Sequence, residues 1–204
     1  MQLYFHTTSP GARNSYILGS DLPDKTAVII DPALIDQTLV NIIEDNSYTL
    51  AGVLITHDHS NHVLGLRTLE RIYKTEVYAV NPFLRGYKTN MVRDGEKFSI
   101  GEFEIEVFSV PGHAFDAVIY KVDRLLFTGD ALSAGLTGKT SSSYGDKVQV
   151  TALYSKILTL QGDYIVLPGH GPPSSIEAER RFNAGIQSYE HNKVRKPALT
   201  LVFE

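Results

Sequence analysis

Thr56-His57-Asp58-His59-Ser60-Asn61-His62 decides the reading of this chain, because three of its seven histidines fall within six positions. The run before it, Gly52–Thr56, is apolar and reads as a buried strand, so the histidines leave a strand end. In extended backbone, residues i and i+2 project to the same side, which lets His57 and His59 converge on one ion. Asp58, by the same alternation, points away from them. Val63, Leu66, Leu69 and Ile72 step by three along a following helix, with His62 in its first turn near the other two. Clustered imidazoles cost stability when all are charged, whereas neutral imidazole is the commonest metal ligand.

Three further residues of the same chemistry stand at strand ends, each directly after a glycine. They are His113 in Val110-Pro111-Gly112-His113, Asp130 in Thr128-Gly129-Asp130 and His170 in Leu167-Pro168-Gly169-His170. Glycine permits a sharp turn and a close backbone approach there. The chain also repeats one pattern. Val28-Ile29-Ile30-Asp31, a helix and Val53–His57 are echoed by Leu125–Asp130, a helix and Ile165–His170. Two strand–acid–helix–strand–His halves predict an α/β chain folded as a four-layer αββα sandwich, its site where strand ends converge.

Other strands are expected at Gln2–Phe5, Ser15–Leu18, Ala27–Ile30, Val77–Val80 and Tyr164–Leu167. Glu102–Val110 alternates as a half-buried strand, and Val118–Val122 with Leu125–Thr128 reads as a hairpin. Helical spacing marks Leu34 to Asp45, Val148–Leu160 and Ile176–Tyr189, and the polar stretch Thr137–Asp146 reads as a surface loop. Leu199–Phe203 is a terminal strand expected to pair with Gln2–Phe5. The alternatives are a frayed tail, or exchange of that strand with a second copy to give a homodimer.

Composition narrows the chemistry. At 204 residues, 43% hydrophobic and 21% charged, the chain is globular and reads as one domain over 1–204. It has no Cys, which excludes a thiolate nucleophile, a zinc ribbon and an iron–sulfur cluster. Any metal is held by His, Asp, Glu or amide oxygen. The net charge of −4 argues against nucleic acid as a partner, leaving a small-molecule substrate. No apolar run approaches the ~18 residues of a membrane span, and Met1 to Pro10 lacks the pattern of a secretory signal, so the cytoplasm is the expected location.

With these residues in view, the chain resembles the metallo-β-lactamase-fold superfamily. The resemblance rests on His57-x-His59-x-Asn61-His62 followed by His113, Asp130 and His170 in the family's order, over roughly Asn14 to Phe182. Ile30-Asp31-Pro32, Leu126–Asp130 and Leu167-Pro168-Gly169-His170-Gly171-Pro172 are similar to the glyoxalase II branch, the hydroxyacylglutathione hydrolases. The resemblance implies a first metal held by His57, His59 and His113, and a second completed by Asn61, His62 and His170, with Asp130 bridging. It implies zinc as the cofactor, one or two ions, with iron or manganese as alternatives. The activity implied is hydrolysis of a small thioester or ester by a metal-bound hydroxide, Asp130 and Asn61 standing at the catalytic positions. Asp31 matches an acid that supports the ligands from behind. Lys139 and Tyr144 fall where relatives place substrate contacts. A mononuclear iron persulfide dioxygenase, or a weakly active or non-catalytic metal-binding member, is the alternative within the same fold.

The chain departs from the family in one residue of the motif: Asn61 replaces an aspartate. That removes a negative charge, a strong oxygen ligand and a proton acceptor from the second site. At an effective dielectric of about 20, one charge at ~4 Å is worth on the order of 4 kcal/mol before desolvation. The second metal is therefore expected to bind more weakly than the first. The C-terminal glutathione-binding domain usual in glyoxalase II is not expected here.

Overall fold

The computed structural model describes residues 1–8 and 12–194, the last five as backbone only. The first half of the chain runs β1 (Gln2–Thr8), β2 (Arg13–Gly19), β3 (Thr26–Ile30), α1 (Gln37–Asp45), β4 (Thr49–Leu54), α2 (Ser60–Val63), α3 (Leu66–Ile72), β5 (Glu76–Ala79), the hairpin β6 (Phe83–Leu84) and β7 (Tyr87–Lys88), and β8 (Asn90–Met91). Its sheet is ordered β1-β2-β3-β4-β5-β8. β3, β4 and β5 are parallel, so their C-terminal ends open on one edge, where the His57 segment begins.

The second half runs β9 (Lys97–Ile100), β10 (Phe103–Ser109), β11 (Val118–Val122), β12 (Leu125–Gly129), the hairpin β13 (Leu132–Ser133) and β14 (Leu136–Thr137), α4 (Ser143–Ala152) continued by a π-helical turn over Leu153–Ile157, β15 (Ile165–Pro168), β16 (Ser174–Ser175), α5 (Ile176–Phe182) and α6 (Ala184–Val194). Its sheet is ordered β16-β15-β12-β11-β10-β9, with β12 and β15 parallel. Asp130 and His170 follow these two strands, as the repeated pattern required.

Alternation along the strands builds the layers. Tyr16, Leu18, Val28 and Ile30 from one sheet meet Val107, Tyr120, Phe127 and Leu167 from the other in a core between the sheets. Ile17, Ile29 and Val53 face outward onto Leu39, Ile43, Leu66 and Leu69 of α1 and α3. Ile119, Leu126 and Val166 face outward onto Leu153, Ile157, Ile176 and Ile186. This is the αββα sandwich.

Four helical boundaries differ from the sequence expectation, each for a local reason. α1 starts at Gln37 rather than near Leu34, because Asp36 caps it by accepting from Leu39 N at 3.0 Å. The helix after His62 is two pieces. Gly65 packs so closely on the Pro32 carbonyl that a Cβ would lie 2.6 Å from it. The expected loop Thr137–Asp146 is already helical from Ser143, with Ser142 Oγ capping Gly145 N at 3.1 Å. α5 and α6 break at Asn183, whose side chain donates to Glu179 at 2.6 Å and accepts from Gly185 N at 3.1 Å. The short strands β6 to β9 lack enough periodicity to be read from sequence. Leu199–Phe203 and its pairing lie outside the described residues. Among the described residues no helix is long and apolar enough to cross a membrane.

Phe127 is fully buried between the sheets, whereas Phe182 on α5 is 74% exposed. Phe127→Ala is expected to cost about 3–5 kcal/mol, and Phe182→Ala no more than about 0.5. Denaturant titration of the two variants checks the assignment of inner and outer faces.

Candidate metal centre

The site lies where the ends of both sheets meet. Thr56 ends the run from β4; its carbonyl accepts from Val118 N of β11 at 2.9 Å. Its hydroxyl sits so close to β12 that a Cβ on Gly129 would lie 2.3 Å away. From this junction the chain turns through His57, Asp58 and His59 into α2.

His57 Nε2 and His113 Nε2 each lie 3.0 Å from His59 Nδ1. The other ring nitrogens identify which lone pairs are free. His113 Nδ1 faces the Lys139 carbonyl at 2.7 Å, so it carries the proton and leaves Nε2 bare. Thr56 Oγ1 donates to Asp31 at 2.6 Å, so it accepts from His57 Nδ1 at 3.0 Å, and His57 Nε2 is bare as well. A proton on His59 Nδ1 serves one of these neighbours but not both. Converging lone pairs with their protons committed elsewhere are the electronic arrangement that a cation resolves, so the residues fit a metal. His57, His59, His113 and Asp130 offer ligand atoms all within 4.8 Å of one another.

The second cluster is His62, Asp130 and His170. His62 is buried, and Nδ1 donates to Asp31 at 3.0 Å. Its Nε2 lies 3.3 Å from Asp130 Oδ1 in a geometry too poor for a hydrogen bond, and is otherwise a buried nitrogen without a partner. That atom, too, suits a ligand. His170 differs. Its Nδ1 donates to Asp130 at 2.7 Å, and its Nε2 accepts from the Asn61 amide at 3.3 Å. Asn61 therefore spends its amide on the His170 lone pair, a contact an aspartate could not make in this form.

The electrostatics separate the groups. Burial, aided by the neighbouring His62, lowers His57 to about 3 and keeps it neutral. Burial also lowers His59, followed by the charge of His113. At His62 burial opposes the charged form but is outweighed by Asp31 and Asp130, which raise it to about 10. Burial likewise opposes ionisation of Asp130, yet the hydrogen bond from His170 and the close His62 ring hold its carboxyl far below the ordinary range.

Asp31 is 2% exposed and accepts from Thr56 N at 2.8 Å, Thr56 Oγ1 at 2.6 Å and His62 Nδ1 at 3.0 Å. It orients His62 directly and His57 through the threonine, as metal-binding histidines require. Asp58 turns away, as its alternation indicated, and pairs with Arg85 Nε at 2.7 Å. His6 pairs with Asp36 rather than joining the cluster. Lys139 lines an open cavity of about 370 Å³ together with His113, Asp130, Ser133, Leu136 and His170. Tyr144 is not among the residues lining it and is 76% exposed on the first turn of α4.

Several supporting residues were not singled out from sequence. Gln149, fully buried on α4, accepts from His113 N at 2.7 Å and donates to the Gly138 carbonyl at 2.8 Å. Asp116, 6% exposed, accepts from Asp58 N at 3.1 Å and from the Asn81 amide at 3.0 Å, bracing the peptide between His57 and His59. A polar residue on the apolar side of a helix was the one sequence signal for Gln149; Asp116 had none. Gly138, which reads as a turn residue in sequence, is a close approach, since a Cβ there would lie 2.0 Å from the Asp130 carbonyl.

Residues 8–170 match the family model of the metallo-beta-lactamase superfamily. The chain belongs to that superfamily. Its members are largely metal-dependent hydrolases, and the two His/Asp clusters are able to hold a metal ion. An uncharacterized protein of Mycobacterium tuberculosis (strain ATCC 25618 / H37Rv) is 31% identical over 210 residues, covering 86% of this chain and 93% of its own. The hydroxyacylglutathione hydrolase GloC of Haemophilus influenzae is 27% identical over 189 residues, covering 81% and 89%. Among solved structures, ETHE1 from Myxococcus xanthus superposes with a TM-score of 0.79 at 25% identity, covering 97% of this chain and 93% of that one.

Two substitutions test the supports of the superfamily site. A Cβ on Gly169 would lie 2.3 Å from His62 Cε1 and 2.6 Å from Asp130 Oδ1. Gly169→Ala is expected to displace both and lower metal content, with the fold retained by circular dichroism. Asp116→Ala is expected to weaken zinc binding about 10–100-fold, the usual cost of losing an outer support, as read by calorimetry.

Proposed function

We propose that the protein is a metal-dependent hydrolase of a small thioester or ester, of glyoxalase II type, with zinc as its cofactor. The observation that carries this reading is the convergence of three imidazole lone pairs and Asp130 at the wall of an open cavity. The likeness to the GloC protein supports the thioester as substrate class. His57, His59, His113 and Asp130 would hold a divalent ion, which would supply Lewis acidity and an activated water near neutral pH.

The chain's own residues do the rest. Asp130, joined to both clusters, orients His170 and ties the two histidine groups together. Asp31 holds the His57 and His62 rings in place. Lys139 lines the cavity and offers a cation to an anionic substrate, while its carbonyl fixes the His113 ring. Asn61 occupies the position of a proton-accepting carboxylate, so this chain hydrolyses more slowly than one with Asp there. The engagement of His170 Nε2 by Asn61 favours a second reading, a single-iron oxidoreductase acting on persulfides.

Asn61→Asp restores the charge and the acceptor. It is expected to raise zinc occupancy at the His62–Asp130–His170 cluster and thioester hydrolysis together, while His59→Ala abolishes turnover. A variant that gained zinc but hydrolysed no thioester would overturn the hydrolase reading. One equivalent of iron with oxygen uptake on a persulfide would establish the second.

A further inference from the structure

We propose that Arg13 forms, beside His170, a subsite for a carboxylate carried by the substrate; the inference rests on the thioester reading and names the substrate class more closely. Arg13 opens β2 and forms an antiparallel bridge with His170. The pairing is firmly held. Asn14 N donates to the Gly169 carbonyl at 2.9 Å, and the Asn14 amide donates to the carbonyls of Pro168 at 2.9 Å and Gly171 at 2.7 Å. Residues directly opposite in an antiparallel pair project to the same face, with Cβ atoms about 4.5–5.5 Å apart. The His170 side chain on that face reaches Asp130 and Asn61.

The alternation of β2 places Arg13 there independently. Arg13 shares a face with Ser15, whose hydroxyl donates to the Asp31 carbonyl at 2.6 Å. α2, which carries Asn61 and His62, packs against β2. Both relations put a half-buried arginine next to the second cluster. Arg13 makes no ion pair and no side-chain hydrogen bond among the described residues.

Charge explains why a cation is tolerated here. Asn61 has removed a negative charge and Arg13 adds a positive one. Both changes weaken the attraction for a second divalent ion and strengthen it for an anion. A guanidinium receives a carboxylate in two parallel hydrogen bonds, which fixes orientation as well as affinity. Arg13 thus holds the acidic end of a substrate whose thioester lies toward the three-histidine cluster.

The test compares S-acetylthioglycolate with its uncharged amide, S-acetylthioglycolamide, on the zinc-loaded protein. Arg13→Gln is expected to cut the preference in kcat/KM for the carboxylate over the amide about tenfold, through KM, with Arg13→Lys retaining part of it. An unchanged preference in Arg13→Gln overturns the proposal. If the parent protein hydrolyses neither compound, the hydrolase reading fails, and calorimetry with thiodiacetate against its diamide decides the subsite alone. A carboxylate-specific affinity that falls about tenfold in Arg13→Gln sustains it; equal or absent binding overturns it.

Discussion

The buried contact between Asp31 and Thr56 is the constraint on which the rest depends. Asp31 ends β3 in a left-handed conformation, φ 47°, uncommon for a residue with a side chain and tolerated best by Asp and Asn. It is followed by proline, which disfavours helical backbone before it, so the conformation is held by its surroundings. The return is three hydrogen bonds on one carboxylate, each of the charge-assisted kind worth about 1.5–3 kcal/mol. Thr56, fixed in this way, bonds to the second sheet through Val118 and leaves room only for glycine at position 129. One threonine therefore joins the two sheets and sets the tautomer of His57.

Much of this was legible in the sequence because the signals were local. Apolar runs ending in Gly-His or Gly-Asp marked β12 and β15, and the order of His57, His59, His62, His113, Asp130 and His170 carried the fold. The breaks at Gly65 and Asn183 were not legible: the first depends on the distant Pro32 carbonyl, and the second on Glu179, four residues away but buried and held by Gly135 N across 44 positions. The supports of the site were hidden for the same reason. Asp116 and Gln149 act on the backbone of Asp58 and His113 across 58 and 36 positions of chain, and no spacing rule reaches that far.

Asn61 gives the site its asymmetry. In the three-histidine cluster the outer nitrogens of His57 and His113 are occupied by Thr56 and Lys139, so their inner lone pairs are free for a cation. In the second cluster His170 has already found a donor in the Asn61 amide, and the buried His62 Nε2 has no hydrogen-bond partner. The neutral Asn61 thus brings no charge to the cluster and supplies a competing hydrogen bond. Arg13, without a side-chain partner among the described residues, forms a backbone bridge with His170 of that cluster. Together these features suit the three-histidine cluster to a cation better than the second cluster.

Titration of the zinc-loaded protein with a competing chelator, following protein-bound zinc at each step, tests that account most directly. One equivalent retained well beyond the point at which any second is lost is the expected result. Two equivalents released together with equal affinity, or none bound at the start, would contradict it.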